Sequence, residues 1–451
     1  MISELRLADA AIRFGGTLLN PDCEFNSVST DSRNIAAGEL FVALVGERMD
    51  GHDFLSHVAE KACGLVVSKP DTDLPLPQWV VEDTTLALGQ LAQLQRDGFT
   101  GTMIAVTGST GKTSVKELIR SILGNLGSVH ATSGNFNNHI GVPLTLLAMQ
   151  DDVDFAVIEM GASGPGEISY LCSIARPHIA LINNVQPAHL EGFGSIQGVA
   201  AAKGEIYSGL DRAGTAVVNL DQSWLPQWRE LIGSRNCITF SLNDSSADVS
   251  AADMQLMESG CYRFTLHTSA GSAAVVLTSP GQHMVANALA AAACALAAGA
   301  SIKHIVAGLE TAQTPARRMQ IKALRQGGKI IDDSYNASPA SVRAAIDVLA
   351  KSAGRRVMVL GDMAELGADA EQLHTDVGEY ALSLGIDQLY TVGRLSAKAS
   401  SAFNGLHFAD LESLKIPLLD EIERGDLTLL VKGSRSSKMD LVVDMLLAEN
   451  V

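Results

Sequence analysis

Seven consecutive residues, Thr107-Gly108-Ser109-Thr110-Gly111-Lys112-Thr113, leave this chain few folds to choose from. The apolar run Met103-Ile-Ala-Val-Thr107 leads into them, and a helical stretch, Thr113 to Leu126, leads away. Glycines at a strand-to-helix turn let the backbone curl so that successive N–H groups point inward. The helix N-terminus adds partial positive charge, and the two effects together favour phosphate oxygens. Lys112 is placed to neutralise β- and γ-phosphates, the Thr113 hydroxyl is placed to ligate Mg²⁺, and Ser114 continues the loop into the helix. The motif is a shortened form, because Val106 stands where the common phosphate loop has its first glycine. A chance Gly-rich turn does not account for a strand before, a helix after and Lys-Thr in place. The spacing therefore predicts a nucleoside triphosphate bound at the edge of a parallel sheet.

The surrounding pattern agrees. Phe155-Ala-Val-Ile158, Ile179-Ala-Leu-Ile182 and Thr215-Ala-Val-Val-Asn219 are continuous apolar runs of strand length separated by helical stretches. Such runs indicate an α/β domain whose mostly parallel sheet is covered on both faces. Residues 237–278 carry shorter alternating pieces and read as an antiparallel edge. The chain restarts near Gln313-Thr-Pro315. Four more apolar runs follow, Lys329–Asp332, Arg356–Leu360, Gln388–Val392 and Thr428–Val431. Helical segments at Ser338–Lys351, Asp369–Leu384 and Leu411–Arg424 separate them, and Ser436–Leu447 ends the series. This predicts a second, smaller, Rossmann-like doubly wound domain. Before Asp83 the chain mixes short strands and turns, with Gly38–Leu44 and Gly64–Ser68 as strands and Pro70, Pro75 and Pro77 punctuating a linker. The expected domains are a small α/β unit over 1–82, a central unit over 83–314 opened by a helix at Asp83–Asp97, and a C-terminal unit over 315–451.

Composition excludes other classes. At 451 residues, 47% apolar and 18% charged, the chain has material for several cores and is not disordered. The formal net charge of −17 argues against a broad basic surface for nucleic acid and against an anionic membrane. It says nothing of a local anion pocket. The Ala-rich stretch Val285–Ala300 contains Asn287 and falls short of the ~20 apolar residues a membrane span needs, so it reads as a packed core helix. Met1-Ile2-Ser3-Glu4-Leu5 carries an acid where a secretion leader would be basic. Cys23, Cys63, Cys172, Cys237, Cys261 and Cys294 form no C-x-x-C pair and are expected to be reduced, buried thiols of a cytoplasmic protein.

Three further residues carry chemistry. Glu159 follows the run Phe155–Ile158, at the strand end where a metal partner for the phosphate loop belongs. His189 follows Asn183-Asn184-Val185 beside the same crevice, and a structural role serves it equally well. In the helix Ser195–Ser208, Ile196, Val199 and Ile206 form an apolar stripe, and Lys203 falls on it. A lysine on a buried face needs an anionic partner, a depressed pKa or a modification such as a metal-binding carbamate. The pattern by itself slightly favours snorkelling of the ammonium to water.

Taken together, Thr107–Thr113, Ile158-Glu-Met-Gly161, His189-Leu-Glu-Gly-Phe-Gly194 and Ala202-Lys-Gly-Glu-Ile206 resemble the Mur ligase family. Gly134-Asn-Phe-Asn-Asn-His-Ile-Gly-Val-Pro143, Asp332-Asp-Ser-Tyr-Asn-Ala337, Gly361-Asp-Met-Ala-Glu-Leu-Gly367 and Val431-Lys-Gly-Ser-Arg435 extend the resemblance over nearly the whole chain, most weakly over 220–280. It implies a UDP-sugar-binding N-terminal domain, a central ATPase and a C-terminal Rossmann-like domain. It implies a ligase that uses ATP and Mg²⁺, with two ions expected, to join D-alanyl-D-alanine to UDP-N-acetylmuramoyl-tripeptide in peptidoglycan precursor synthesis. Lys112, Glu159, His189 and Lys203 would be catalytic. Thr113, Glu159, His189 and a carbamylated Lys203 would hold the metal. His283 and Asn287 would meet adenine, Arg317 the nucleotide, and Asp333, Tyr335 and Asn336 would close on it. Asn135, Asn137, Asn138, Lys432, Ser434 and Arg435 are the candidates for the acceptor dipeptide, and Ser29, Asp31, Ser32 and Arg33 for the UDP moiety. For His283 with Asn287 a polar first turn of a packed helix is as good a reading; solvated charge is as good for Lys432 and Arg435, and a polar turn nearly so for Ser29–Arg33. The expected protein is a cytoplasmic monomer. Folylpolyglutamate synthetase-like enzymes share the shortened loop but start near it, whereas this chain has a domain before it. The Asp-Asn-Pro-Arg motif of the ligases that add a diamino acid is absent. A nucleotide-dependent switch stays open as an alternative of another class.

Overall fold

The computed structural model describes residues 5–187 and 190–449; His189 lies outside the described residues. Three larger sheets follow one another along the chain, beside a two-stranded antiparallel pairing of Leu5–Arg6 with Glu24–Phe25. The first has five strands in the order Thr17–Leu19, Gln78–Val80, Gly64–Val67, Leu40–Val42, Val28–Ser29. It is parallel except where Gln78–Val80 meets Thr17–Leu19. The proline-punctuated stretch 70–77 therefore joins two neighbouring strands of one sheet and is not a linker between domains. A helix at Leu7–Phe14, in a region expected to hold strands and turns, packs beside this sheet.

The second sheet runs Gly271–Val276, Tyr262–Thr268, Val249–Leu256, Asn236–Ser241, Thr215–Asn219, Ile179–Ile182, Thr102–Thr107, Phe155–Glu159, Val129–Ala131. Only the Tyr262–Thr268 and Gly271–Val276 pairings are antiparallel; of the expected antiparallel edge over 237–278, the strand Asn236–Ser241 instead pairs parallel with both its neighbours. Thr102–Thr107 lies between Ile179–Ile182 and Phe155–Glu159, so the strand order reverses at the phosphate loop; ligands of open α/β sheets collect at such a crevice. The strand's alternation assigns its two faces to different cores. Met103 and Ala105 face the helix Thr84–Asp97, while Ile104 and Val106 face the helices Lys112–Leu123 and Gln282–Ala297. Asp83 caps Thr84–Asp97 by accepting from Thr85 N and Leu86 N. Leu88 and Leu91 of that helix join Leu40, Val66 and Trp79 of the first sheet to Met103 and Ala156 of the second in one core. In Gln282–Ala297 the residues Ala290 to Ala295 are fully buried. Among the described residues no helix is long and apolar enough to cross a membrane.

The third sheet has six strands in the order Gln320–Ala323, Lys329–Asp333, Leu427–Lys432, Arg355–Gly361, Gln388–Val392, Leu406–Phe408. Only the first pairing is antiparallel. The strand Gln320–Ala323 and the helix Ser396–Phe403 are additions to the expected pattern. Register sets Asp333 beside Lys432 at the ends of adjacent strands. The cysteines are all unpaired; Cys172, Cys261 and Cys294 are buried, but contrary to expectation Cys23 and Cys63 are half-buried and Cys237 is exposed, because its strand end projects beyond the core.

Candidate active site

A cleft of about 900 Å³ separates the carboxyl ends of the second sheet from those of the third. The phosphate loop forms one wall. Gly111 has φ +77°, and a Cβ there would collide with the side chains of Asn183 and Asn287, so only glycine fits. The loop is braced from behind. Thr110 N donates to Asn184 Oδ1 (2.9 Å), Asn183 Nδ2 donates to Thr110 O (3.0 Å) and to Asn287 Oδ1 (2.9 Å), and Ser109 Oγ donates to Gln186 O (3.0 Å). Thr107 is buried and donates to Met160 O (2.8 Å), so it supports the loop without lining the cleft. Lys112 Nζ folds back onto Gly108 O (2.8 Å), and burial lowers its pKa.

Behind the loop, Thr113 and Glu159 meet. Thr113 Oγ1 donates to Glu159 Oε2 (2.7 Å), and Asn137 Nδ2 donates to Oε1 (2.8 Å). Glu159 is 2% exposed, and its backbone N–H is held by Thr132 Oγ1 (2.9 Å). A hydroxyl and a carboxylate side by side at the phosphate end are hard oxygen donors of the kind Mg²⁺ takes. No group of three or more His, Cys, Asp or Glu suited to a metal occurs among the described residues. Mg²⁺ fits regardless, since it keeps several waters and uses one or two protein oxygens besides phosphate.

Lys203 sits on the helix Ile196–Ser208 with 2% of its surface exposed, its ammonium 5.9 Å from the Phe193 ring centre. Desolvation, then repulsion from Lys112, pushes its pKa well down. Snorkelling is thus overturned: the stem does not carry the charge to water. Asn287 holds the phosphate loop through Asn183, and His283, one turn earlier, lines the cleft with its pKa lowered by burial.

The C-terminal wall carries Asp333, Tyr335, Asn336, Lys432, Ser434 and Arg435. Lys432 is buried: it pairs with Asp333 and donates to Asn336 O (2.9 Å), which rules out solvated surface charge. Asp333 Oδ1 also accepts Met319 N (3.1 Å). The two arginines after the hinge diverge. Arg317, in a left-handed conformation (φ +61°), turns away from the cleft to Asp440 (2.5 Å), whereas Arg318 lines the cleft and stacks 4.1 Å over Tyr335. Arg435 lies 5.9 Å from the same ring. Asn135, Asn137 and Asn138 all line the cleft, but Asn138 Oδ1 is spent on the backbone N–H groups of Ile140 (3.2 Å) and Gly141 (2.9 Å), where the helix Gly141–Leu147 begins.

Ser29, Asp31, Ser32 and Arg33 lie outside this cleft in a self-contained turn. Asp31 binds Arg33 Nη2 at 2.8 Å, which with the Arg33 backbone N–H holds its carboxyl below the usual range. Several lining residues escaped the sequence reading: Asp221 and Gln222, Arg318, Glu365 and Glu167. Asp221 and Gln222 follow the strand Thr215–Asn219, so the strand-end rule that selected Glu159 would have found them.

A family model described as the Mur ligase middle domain matches residues 106–295, and one described as Mur ligase, glutamate ligase domain matches residues 317–435. The UDP-N-acetylmuramoyl-tripeptide–D-alanyl-D-alanine ligase of Escherichia coli (strain K12) is 47% identical over 433 residues, 95% of each chain. A crystal structure of MurF from Acinetobacter baumannii aligns with a TM-score of 0.93 at 36% identity, covering 99% of each chain. MurF ligase from Thermotoga maritima in complex with ADP aligns at 0.83 with 29% identity, over 94% of this chain and 97% of that one. Phosphate loop, interdomain cleft and relatives define an ATP-dependent amide ligase. The chain belongs to the Mur ligase family.

Proposed function

We propose that the protein joins D-alanyl-D-alanine to UDP-N-acetylmuramoyl-tripeptide at the expense of ATP, as a cytoplasmic monomer in peptidoglycan precursor synthesis. The observation that carries this is the Thr113–Glu159 pair behind the phosphate loop, facing Lys432 and Arg435 across one cleft. The named activity of the Escherichia coli relative supports it. Residues 1–82 would hold the UDP-sugar, with Ser29–Arg33 as candidates; 83–314 would bind ATP, and 315–451 would close over it.

The chemistry follows from the groups. A carboxylate is a poor electrophile, so the γ-phosphoryl group is first transferred to the tripeptide carboxylate, giving ADP and an acyl phosphate. The dipeptide amine attacks the acyl carbon, the C–N bond forms, the C–O bond to phosphate breaks, and phosphate leaves. Thr113 and Glu159 would hold Mg²⁺, which would supply charge neutralisation of the phosphates. Lys112 swings from Gly108 O onto the phosphates, and the loop N–H groups hold them. His283 borders the adenine side, and Asn287 acts there through the loop. Arg318, in place of Arg317, reaches the nucleotide with Tyr335 and Asn336, while Asp333 steadies Lys432. Burial favours the neutral amine of Lys203, the form that adds CO₂ to give a carbamate and a proton; with His189 such a carbamate would hold a second Mg²⁺. Asn135, Ser434 and Arg435 face the acceptor. Closure of the cleft keeps water from the acyl phosphate. ADP release measured with the UDP-tripeptide, with and without D-alanyl-D-alanine, tests the reading. Release that requires both supports it; release indifferent to both indicates a switch ATPase and overturns it.

A further inference from the structure

Lys116 is a buried cation that the chemistry above does not use. It lies in the helix Lys112–Leu123, three residues after Thr113 and four after Lys112, so the three share one face. On stability alone an apolar side chain would serve there, since burying an ammonium is costly even when it is paired. Its charge is balanced by Glu117 Oε1 at 2.7 Å, while the other Glu117 oxygen holds Arg120 (2.7 Å). Its hydrogen bond to the backbone goes elsewhere: Nζ donates to the carbonyl oxygen of Thr132.

Thr132 stands where the edge strand leaves the sheet. Val129–Ala131 pairs with Phe155–Val157, and Thr132 N donates to Val157 O (3.0 Å). Where the neighbouring strand reaches Glu159, the edge strand has already ended, and the Thr132 hydroxyl takes over by accepting Glu159 N (2.9 Å). Asn137 then returns to the same place: its Nδ2 donates to Glu159 Oε1 (2.8 Å), and its carbonyl oxygen accepts Gly161 N (2.8 Å). One segment, 132–137, thus holds Glu159 at backbone and carboxylate, and Lys116 ties the start of that segment to the helix that carries Thr113. Resting on the ligase reading, in which Thr113 and Glu159 hold Mg²⁺, we infer that Lys116 is a positioning residue that fixes the Glu159 carboxylate relative to the Thr113 hydroxyl by clamping Thr132 to the phosphate-loop helix. A three-residue edge strand is paired on one side only, so without the clamp its point of departure is free to shift. The two metal oxygens would then lose their set separation.

The test uses the full chain with Lys116→Met, which keeps most of the stem and removes the donor. ADP binding is measured by calorimetry over a range of Mg²⁺ concentrations, so the readout needs no turnover. The Mg²⁺ concentration that gives half of the metal's effect on ADP affinity is expected to rise about tenfold to a hundredfold, the usual cost of losing support behind a metal ligand. ADP affinity without metal should not move, and added Mg²⁺ should restore most of the ligase rate. Thr132→Val keeps the lysine, removes the hydroxyl and should raise the midpoint likewise. The double variant should add little to either single one, because both act through one chain of contacts. Lys116→Arg keeps a cationic donor and should stay near the unsubstituted midpoint; it and Thr132→Val decide the matter should Lys116→Met fail to fold. A variant that melts lower with its midpoint unmoved overturns the inference, as do additive shifts in the double variant or an equal loss of metal-free ADP binding. An unsubstituted chain without dipeptide-dependent ADP release overturns the ligase reading separately.

Discussion

The Thr113 hydroxyl reaches from the first turn behind the phosphate loop to the Glu159 carboxylate, 2.7 Å away on the neighbouring strand. Register explains the meeting: Glu159 pairs with Val106, one residue before the loop begins. Both Glu159 oxygens are engaged, one by Thr113 and one by Asn137. Glu159→Gln should therefore lower kcat by about 10² to 10³, the usual cost of removing a preorganised charge-stabilising group. It should also raise the Mg²⁺ concentration needed for half-maximal ADP release. Asn137→Ala keeps the carboxylate and its Thr113 contact, so a loss of about tenfold is expected. Equal losses in the two variants would mean that Asn137 acts on substrate directly.

Lys203 makes a sharper division between stability and activity. Its amine is buried without a described carboxylate beside it, and desolvation is the main cause of its lowered pKa. Lys203→Met fills the same space without that penalty, so the unliganded variant should melt higher, by the equivalent of about 1 kcal/mol or more. Its ligase activity should nevertheless fall at least ~100-fold. Lys203→Ala should be equally inactive but regain activity with added formate or acetate, which can stand where a carbamate would. Full activity in either variant defeats the carbamate.

The residues that were legible beforehand share a trait: each is placed by local geometry. The phosphate loop, Glu159 and the strand-end segment 432–435 follow strands whose apolar runs are unmistakable. Lys203 betrayed itself by breaking an apolar stripe. What escaped depended on contacts distant in sequence. Whether Arg317 or Arg318 faces the cleft is decided by Asp440, over a hundred residues on. Pro70, Pro75 and Pro77 look like a linker until Gln78–Val80 is seen to pair with both Thr17–Leu19 and Gly64–Val67. Glu365 carries no sequence mark of its left-handed backbone, because that conformation is imposed by Asp362, His374 and the buried flanks.

The Asp333–Lys432 pair should behave as a unit. Register sets the two side by side, and both are largely enclosed. Lys432→Met strands the carboxylate, and breaking a buried pair in this way costs about 3–5 kcal/mol; the lower end is expected because Asp333 is 13% exposed. Adding Asp333→Asn to that variant should restore much of the loss. The comparison is a double-mutant cycle in thermal unfolding, with unfolding of the C-terminal sheet followed separately because a chain of several domains need not melt in one step. Additive losses would mean that the two side chains do not depend on each other.

His374 gives the C-terminal domain a pH dependence of known sign. Its Nε2 accepts Met363 N–H at 2.9 Å, and Nδ1–H donates to Ala370 O at 2.7 Å, so the folded site requires a neutral ring. Burial lowers its pKa from 6.5. The unfolded chain therefore takes up the proton first, and the stability this residue contributes is complete above about pH 6.5 and drains away as the pH falls through the folded value. In His374→Gln the amide can replace both bonds without titrating. That variant should lose about 1 kcal/mol at pH 7.5 yet show a shallower fall in melting temperature between pH 7 and 5. His130, His178 and His283 are lowered as well and set the slope that remains in both proteins. Parallel slopes would remove His374 from the account.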